Sequence, residues 1–272
     1  MDVILGFMSG TKHVVLIHGA WGRGYSWGPA RTAFEERGYT VHTPTLRHHE
    51  LSLAEGANKI APLSMRDYID DLAALVDSLD SPPLLVGFSL GGLLAQLVAA
   101  RTRHAGLIAA CPGPAAGIFA PTPTALRSFG SLFGRHYLRP RPWGKPLYPP
   151  TWQRFRRWLA NAQTEETARE LFADAVCEAG RVYCEMTFWF LDRGSASTVN
   201  FATVSNPVLA IGGEYDRVVS AGVVQQTARR YQRGTYAQIP GSDHFVFSGD
   251  ALPLTMGVID DWISRNHILA DS

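Results

Sequence analysis

Ser89 stands in Gly87-Phe88-Ser89-Leu90-Gly91, and the spacing of that pentapeptide suits an activated hydroxyl. A serine at the tip of a sharp strand-to-helix turn takes a strained backbone conformation, so its neighbours two positions away must lack bulk. Gly87 and Gly91 meet that need. A helix beginning just after the serine aims its free N–H groups and positive dipole end at the point where an oxyanion would develop. Leu90 supplies the first such donor. A hydroxyl is a poor nucleophile at neutral pH and needs a base to take its proton. His244, in Gly241-Ser242-Asp243-His244, fits because imidazole titrates near neutrality. An ionised carboxylate would then fix the imidazole tautomer and stabilise the imidazolium as it forms. Asp216, in Gly213-Glu214-Tyr215-Asp216, is the favoured candidate, with Glu214 and Asp243 as rivals beside the same motifs.

These three residues lie far apart along the chain, so the intervening elements must bring them together. His13–Ile17 reads as a buried strand and Pro83–Gly87 and Leu107–Ala110 as apolar ones, with Tyr39–His42, Pro207–Ile211 and Thr235–Ile239 as further strands. Helical spacing covers Trp27–Arg37, a Ser64-capped stretch Met65–Leu79, the run from Leu90 to about Arg103, Val223–Tyr231 and Pro253–Arg265. Strands alternating with helices predict an α/β fold: a mostly parallel sheet covered on both faces. In such a sheet reactive groups gather at the carboxyl ends of the strands, which is where Ser89, Asp216 and His244 fall. Leu46–Leu63 shows no periodicity.

The composition changes at Pro112: nine of the 17 prolines lie between Pro112 and Pro150, and four of the seven tryptophans between Trp143 and Trp189. Helical patterns return at Pro150–Asn161 and Glu165–Leu191. Residues 112–206 therefore read as a mostly helical insertion into a core formed by residues 1–111 and 207–272.

With 272 residues, 46% hydrophobic and a formal net charge of +1, the chain is long enough for one large α/β domain with an insertion, and gives no argument for nucleic acid as a partner. Met1–Phe7 is apolar but too short for a signal core, and no apolar run reaches transmembrane length. The three cysteines, Cys111, Cys177 and Cys184, form neither a disulfide framework nor a zinc spacing. A cytoplasmic protein without membrane attachment is the expectation. His48, His49 and Glu50 suggest a metal only superficially, since adjacent histidines seldom share one, and they read as a solvated loop. Gly22-Arg23-Gly24 lacks the lysine and Ser/Thr of a phosphate loop. No metal and no cofactor is called for.

In the chain order serine, acid, histidine, with His18-Gly19 after the first strand, the sequence resembles the α/β-hydrolase superfamily. The resemblance covers the whole chain except the insertion, whose position matches the family's cap or lid. It implies an α/β-hydrolase fold and a serine esterase cleaving a carboxylic ester through an acyl-serine, with no metal or cofactor. It places the second oxyanion donor at Ala20 and gives His18 a structural role in that loop. Trp21, Phe88 and Phe245 are the candidates for the substrate pocket. Ser89 argues against haloalkane dehalogenases and epoxide hydrolases, which carry an aspartate there. The His-Gly-Ala loop is similar to that of plant hydroxynitrile lyases and methyl esterases, but Phe245 stands where the lyases carry lysine. Phe88 beside the serine resembles bacterial arylesterases related to cofactor-free haloperoxidases.

Lactones and thioesters pass through the same tetrahedral geometry and stay open, as do a lyase or cyclase reusing the triad and a ligand receptor built on the fold. One asymmetry bears on the substrate. No Asp or Glu occurs from Ser81 to Thr164, whereas Arg127, Arg135, Arg139, Arg141, Lys145, Arg154, Arg156 and Arg157 do. Two readings stand: a solvated surface, or a basic lid favouring an anionic ester. Phe129, Phe133, Trp189 and Phe190 read as packing within the insertion, some of them facing an acyl pocket. The sequence leaves the oligomeric state open.

Overall fold

The computed structural model describes residues 12–268. Met1–Phe7 lies outside the described residues. Near-continuous apolar runs make the four inner strands, as expected where both faces of a sheet are covered, while the edge strands are more polar and partly exposed. In chain order the first half comprises β1 (His13–Ile17), α1 (Gly28–Glu35), β2 (Thr40–His42), α2 (Leu53–Ile60), α3 (Met65–Asp77), β3 (Leu84–Phe88), α4 (Leu90–Ala99) and β4 (Gly106–Ala110). Between β4 and the next core strand come α5 (Pro123–Tyr137), β5 (Pro146–Leu147), α6 (Trp152–Trp158), α7 (Glu165–Ala173), β6 (Glu178–Ala179) and α8 (Gly180–Thr187). The chain then returns with β7 (Val208–Gly213), α9 (Ala221–Arg229), β8 (Gly234–Ile239) and α10 (Ala251–Asn266).

Six strands form one sheet in the order β2-β1-β3-β4-β7-β8, and every neighbouring pair is parallel. The order turns back on itself at β1 and β3, so the loops after these two strands face each other across a crevice at their carboxyl ends. Leu16 pairs with Val86 and Ile17 with Gly87, which sets the loop after Ile17 beside the turn at Ser89. The helix α4 is buried along its whole length and apolar except at Gln96, whose amide donates to the Gly92 carbonyl and accepts from Tyr231 Oη, because the sheet lies beneath it and neighbouring helices and the inserted segment cover it. It ends at Ala99, short of the expected Arg103, and Arg101 at its exit forms an exposed ion pair with Asp70.

Two further expectations about helices need correction. The unpatterned stretch Leu46–Leu63 contains α2, whose start is marked by a capping box in which Ser52 and Glu55 exchange hydrogen bonds. The helical span Glu165–Leu191 is broken: residues 174–177 are irregular, and Glu178 pairs with Leu147 in a short antiparallel ribbon. Tertiary contacts override the helical spacing there. The Val176 N–H donates to the Trp21 carbonyl (3.0 Å), and Glu178 is drawn into the core.

Buried carboxylates hold the inserted segment to α3 and to loops of the core. Glu178, fully buried, accepts from Tyr68 Oη (2.9 Å) and faces His49 Nε2 at 3.1 Å. Glu185 accepts from Ser64 Oγ and the Met65 N–H (2.8 Å each), sitting at the positive end of α3. Asp243, also fully buried, accepts from the backbone N–H groups of Ala162 (2.7 Å), Gln163 (3.2 Å) and Phe245 (3.0 Å) and from Gln163 Nε2 (2.9 Å). His49 is thus a fully buried partner of Glu178 rather than part of a solvated loop; His48 and Glu50 stay nearer the surface. Removing the Asp243 acceptor strands several buried donors. Asp243→Ala is therefore expected to lower the unfolding free energy by about 3 kcal/mol, read from urea denaturation, while a surface control such as Asp261→Ala stays near the parent value.

Candidate active site

The turn at Ser89 is built from absences. A side-chain carbon on Gly91 would lie 2.1 Å from the Ile17 carbonyl oxygen, and one on Gly87 would lie 2.1 Å from the Gly91 oxygen. Only glycine allows so tight a crossing of β3, α4 and the end of β1. Ser89 itself takes φ 55° and ψ −119°, a conformation a side chain rarely adopts. Its N–H donates to the Ala110 carbonyl (2.9 Å), and its carbonyl accepts from Gly92 and Gly113 (2.9 Å each). The strained residue is thereby held from both sides, with its hydroxyl facing the crevice.

Three side chains meet there in one hydrogen-bonded line. His244 Nε2 lies 2.9 Å from Ser89 Oγ, and His244 Nδ1 lies 2.8 Å from Asp216 Oδ2. The other Asp216 oxygen accepts from the N–H groups of Val218 (2.8 Å) and Val219 (2.9 Å), which fixes the carboxylate in the loop after β7. An ionised carboxylate only accepts, so the Asp216 contact puts the proton on Nδ1 and leaves the Nε2 lone pair for the Ser89 hydroxyl. The side chains of His244 and Asp216 are 2% and 1% exposed, which shields their interaction from water. Neither rival acid reaches the imidazole: Asp243 is engaged with the inserted segment, and exposed Glu214 accepts from the Gly241 N–H (2.7 Å).

The loop after β1 is oriented by His18. Its Nδ1–H donates to the Gly19 carbonyl (2.8 Å), and its Nε2 accepts from the Leu46 N–H (3.0 Å). The Gly22 N–H also donates to the Gly19 carbonyl, at 3.2 Å. Carbonyl and N–H point oppositely across a trans peptide, so this grip turns the Ala20 N–H to the other side. A side-chain carbon on Gly19 would lie 3.0 Å from Ser89 Cβ, which shows how closely the loop approaches the serine. The Leu90 N–H, first in α4, has no acceptor within its own helix. Burial, with the nearby His49 adding to it, lowers the His18 pKa to about 3, so this imidazole stays neutral and keeps its two opposed hydrogen bonds.

Two cavities open from Ser89. The first, of about 110 Å³, is lined by Ala20, Trp21, Trp27, Phe88, His244 and Phe245 among others. The second, of about 270 Å³, is lined by Leu90, Ile118, Phe119, Phe129, Met186 and Trp189 among others. The substrate-pocket candidates Trp21, Phe88 and Phe245 thus all lie on the first. Phe129 and Trp189 face the second, Phe133 faces both, and Phe190 is 64% exposed. No lysine or arginine lines either cavity, so the basic residues between 127 and 157 sit outside them. Residues not singled out from the sequence line the site as well: Tyr183, Met186 and Val218, whose inward positions follow from packing rather than from any motif.

Cys111, fully buried with φ 44°, follows β4. Its sulfur lies within 4.8 Å of the nearest nitrogen of His244 and oxygen of Asp216. Burial, and next Asp216, push this thiol well above its ordinary pKa, so it stays protonated. Within this cluster Asp216 and His244 are hydrogen-bonded to each other through Asp216 Oδ2 and His244 Nδ1.

The chain matches the Alpha/beta hydrolase family over residues 14–252 and belongs to it. Among curated proteins, a pyrethroid hydrolase from Sphingobium wenxiniae is 33% identical over 79 residues, 29% of this chain and 27% of that protein's length. A pyrethroid hydrolase structure from Sphingobium faniae superposes with TM-score 0.67 at 21% identity, covering 94% of this chain and 99% of that one. A monoacylglycerol lipase from Paleococcus ferrophilus gives TM-score 0.67 at 17% identity, with 94% and 96% covered. A methylesterase from Arabidopsis gives 0.66 at 14% identity, with 94% and 100% covered. At these identities the structures share the fold. Among the described residues, no helix is long and apolar enough to cross a membrane.

The neutral His18 has a consequence in acid. Above pH 6.5 both folded and unfolded chains leave it uncharged; below 6.5 the unfolded chain takes up a proton that the native site refuses until about pH 3. Native stability from this residue therefore falls as pH drops through that window. The urea midpoint is expected to decline from pH 6.5 to pH 4, with a shallower decline in His18→Asn; an equal slope in both would remove His18 from the effect.

Proposed function

We propose that this hydrolase cleaves a neutral carboxylic ester through an acyl-serine intermediate. The observation that carries the reading is the unbroken line Ser89 Oγ–His244–Asp216, with distances of 2.9 Å and 2.8 Å. Ser89 attacks the carbonyl carbon as His244 Nε2 takes its proton. The charge that develops on the carbonyl oxygen is met by the Leu90 and Ala20 N–H groups. His244 then gives the proton to the departing alkoxide, and the alcohol leaves. A water attacks the acyl-serine by the same path in reverse, giving the acid and restoring Ser89. Asp216 stabilises the imidazolium formed in each half.

Both cavities lack a cationic side chain, which favours an uncharged substrate over the anionic ester that the basic insertion suggested. The lipase and methylesterase among the fold relatives, and the pyrethroid hydrolases, support a hydrolytic reading for the family site. Lactones and thioesters require the same geometry and remain within it. A ligand receptor would have no need of a proton relay buried to this degree.

A fluorophosphonate probe is expected to label Ser89. Ser89→Ala should abolish labelling and cut p-nitrophenyl acetate turnover by at least about 10⁴-fold, and Asp216→Asn should cost about 10⁴-fold in kcat with the fold retained. Full turnover in Ser89→Ala would overturn the acyl-serine route.

A further inference from the structure

The two cavities are separated by stacked rings from three parts of the chain. Trp21 of the loop after β1 stacks on Phe133 of α5 with centroids 5.6 Å apart and interplanar angle 11°. Phe133 stacks in turn on Tyr183 of α8, at 4.9 Å. Phe133 and Tyr183 line both cavities, so they form a partition, and Ser89 sits where the two spaces meet. The donors divide likewise: Ala20 borders the first cavity and Leu90 the second. A carbonyl held between those N–H groups straddles the partition, with one substituent directed into each side.

The side each substituent takes follows from the proton that the departing oxygen must receive. That oxygen has to lie within hydrogen-bond reach of His244 Nε2. His244 lines the first cavity and not the second. Resting on the ester-hydrolase reading above, we infer that the alcohol arm occupies the first cavity and the acyl arm the second, so the substrate is an ester of a larger apolar acid with a compact alcohol. The sizes agree with this assignment: about 110 Å³ for the alcohol side against about 270 Å³ for the acyl side. The acyl side also opens past exposed apolar residues, Phe119 (76%), Leu126 (58%) and Trp189 (41%), so an acyl arm can lengthen toward solvent. The alcohol side is lined by the mutually packed rings of Trp27, Phe88 and Phe245 and by Phe155 of α6.

Two small wall residues allow each space to be narrowed alone. Ala125 on α5 lines only the second cavity, and Ala175 after α7 only the first. Their test uses kcat/KM in two ester series on purified protein: p-nitrophenyl esters from acetate to octanoate, and octanoates of methyl and benzyl alcohol. Ala125→Phe is expected to lower the octanoate-to-acetate ratio by about tenfold or more while leaving the benzyl-to-methyl ratio within about twofold. Ala175→Phe should do the reverse. Thermal melts and fluorophosphonate labelling of Ser89 accompany each variant, so that misfolding is read separately. Labelled, folded variants that shift the opposite series, or shift both or neither, overturn the assignment while leaving the hydrolase reading intact. Failure of the parent protein to react at Ser89 would instead remove the hydrolase reading itself, and this assignment with it.

Discussion

Where the end of β1 crosses the start of α4 there is no room for one methyl group: Gly91 lies against the Ile17 and His18 carbonyls, and Gly87 against Gly91. That contact decides the geometry of everything above it. It permits the backbone strain at Ser89, keeps the serine beside the Gly19–Ala20 peptide, and starts α4 at the point where its first N–H faces the same space. One more carbon at this crossing would push α4 away from the ends of β1 and β3, and the two N–H donors would part with it.

The inserted segment shares a buried apolar cluster with this frame and is also bound to it by buried polar groups. Glu178 and Glu185 reach from the segment into the core, and Asp243 reaches from the core into the segment. Buried carboxylates are tolerated only when their oxygens are satisfied, and each of these is met by several donors or a histidine. Such contacts have narrow geometric requirements, so they fix where the segment sits more strictly than apolar packing alone would. The stacking of Trp21, Phe133 and Tyr183 then carries that placement into the site.

The core was readable because each of its signals is local. Ser89 and Asp216 follow apolar strands and His244 a more polar edge strand, and strand ends converge in a parallel sheet whatever lies between them. The acid was ambiguous in sequence because Asp243 and Glu214 sit one or two residues from motif positions; only the direction of each side chain separates them. Burial of His49 was not legible, since its partner Glu178 lies 129 residues away. The break after Ala173 had the same cause: helical spacing continues through residues 174–191, and the pairing of Glu178 with Leu147 interrupts it from outside. The α2 helix, by contrast, had its signal in Ser52 and Glu55, which the absence of a longer periodic run obscured.

The Trp21 residue is tied to the inserted segment at both ends: its indole N–H donates to the Leu147 carbonyl, and its own carbonyl accepts from Val176. The loop carrying Ala20 is therefore part of the same cooperative unit as the β5–β6 ribbon. Members of a family that vary in this region are often thought of as one chassis with exchangeable tops. In this chain a chimaera carrying a foreign top would lose both tethers of Trp21, so the loop carrying Ala20 would have to be redesigned together with the part exchanged.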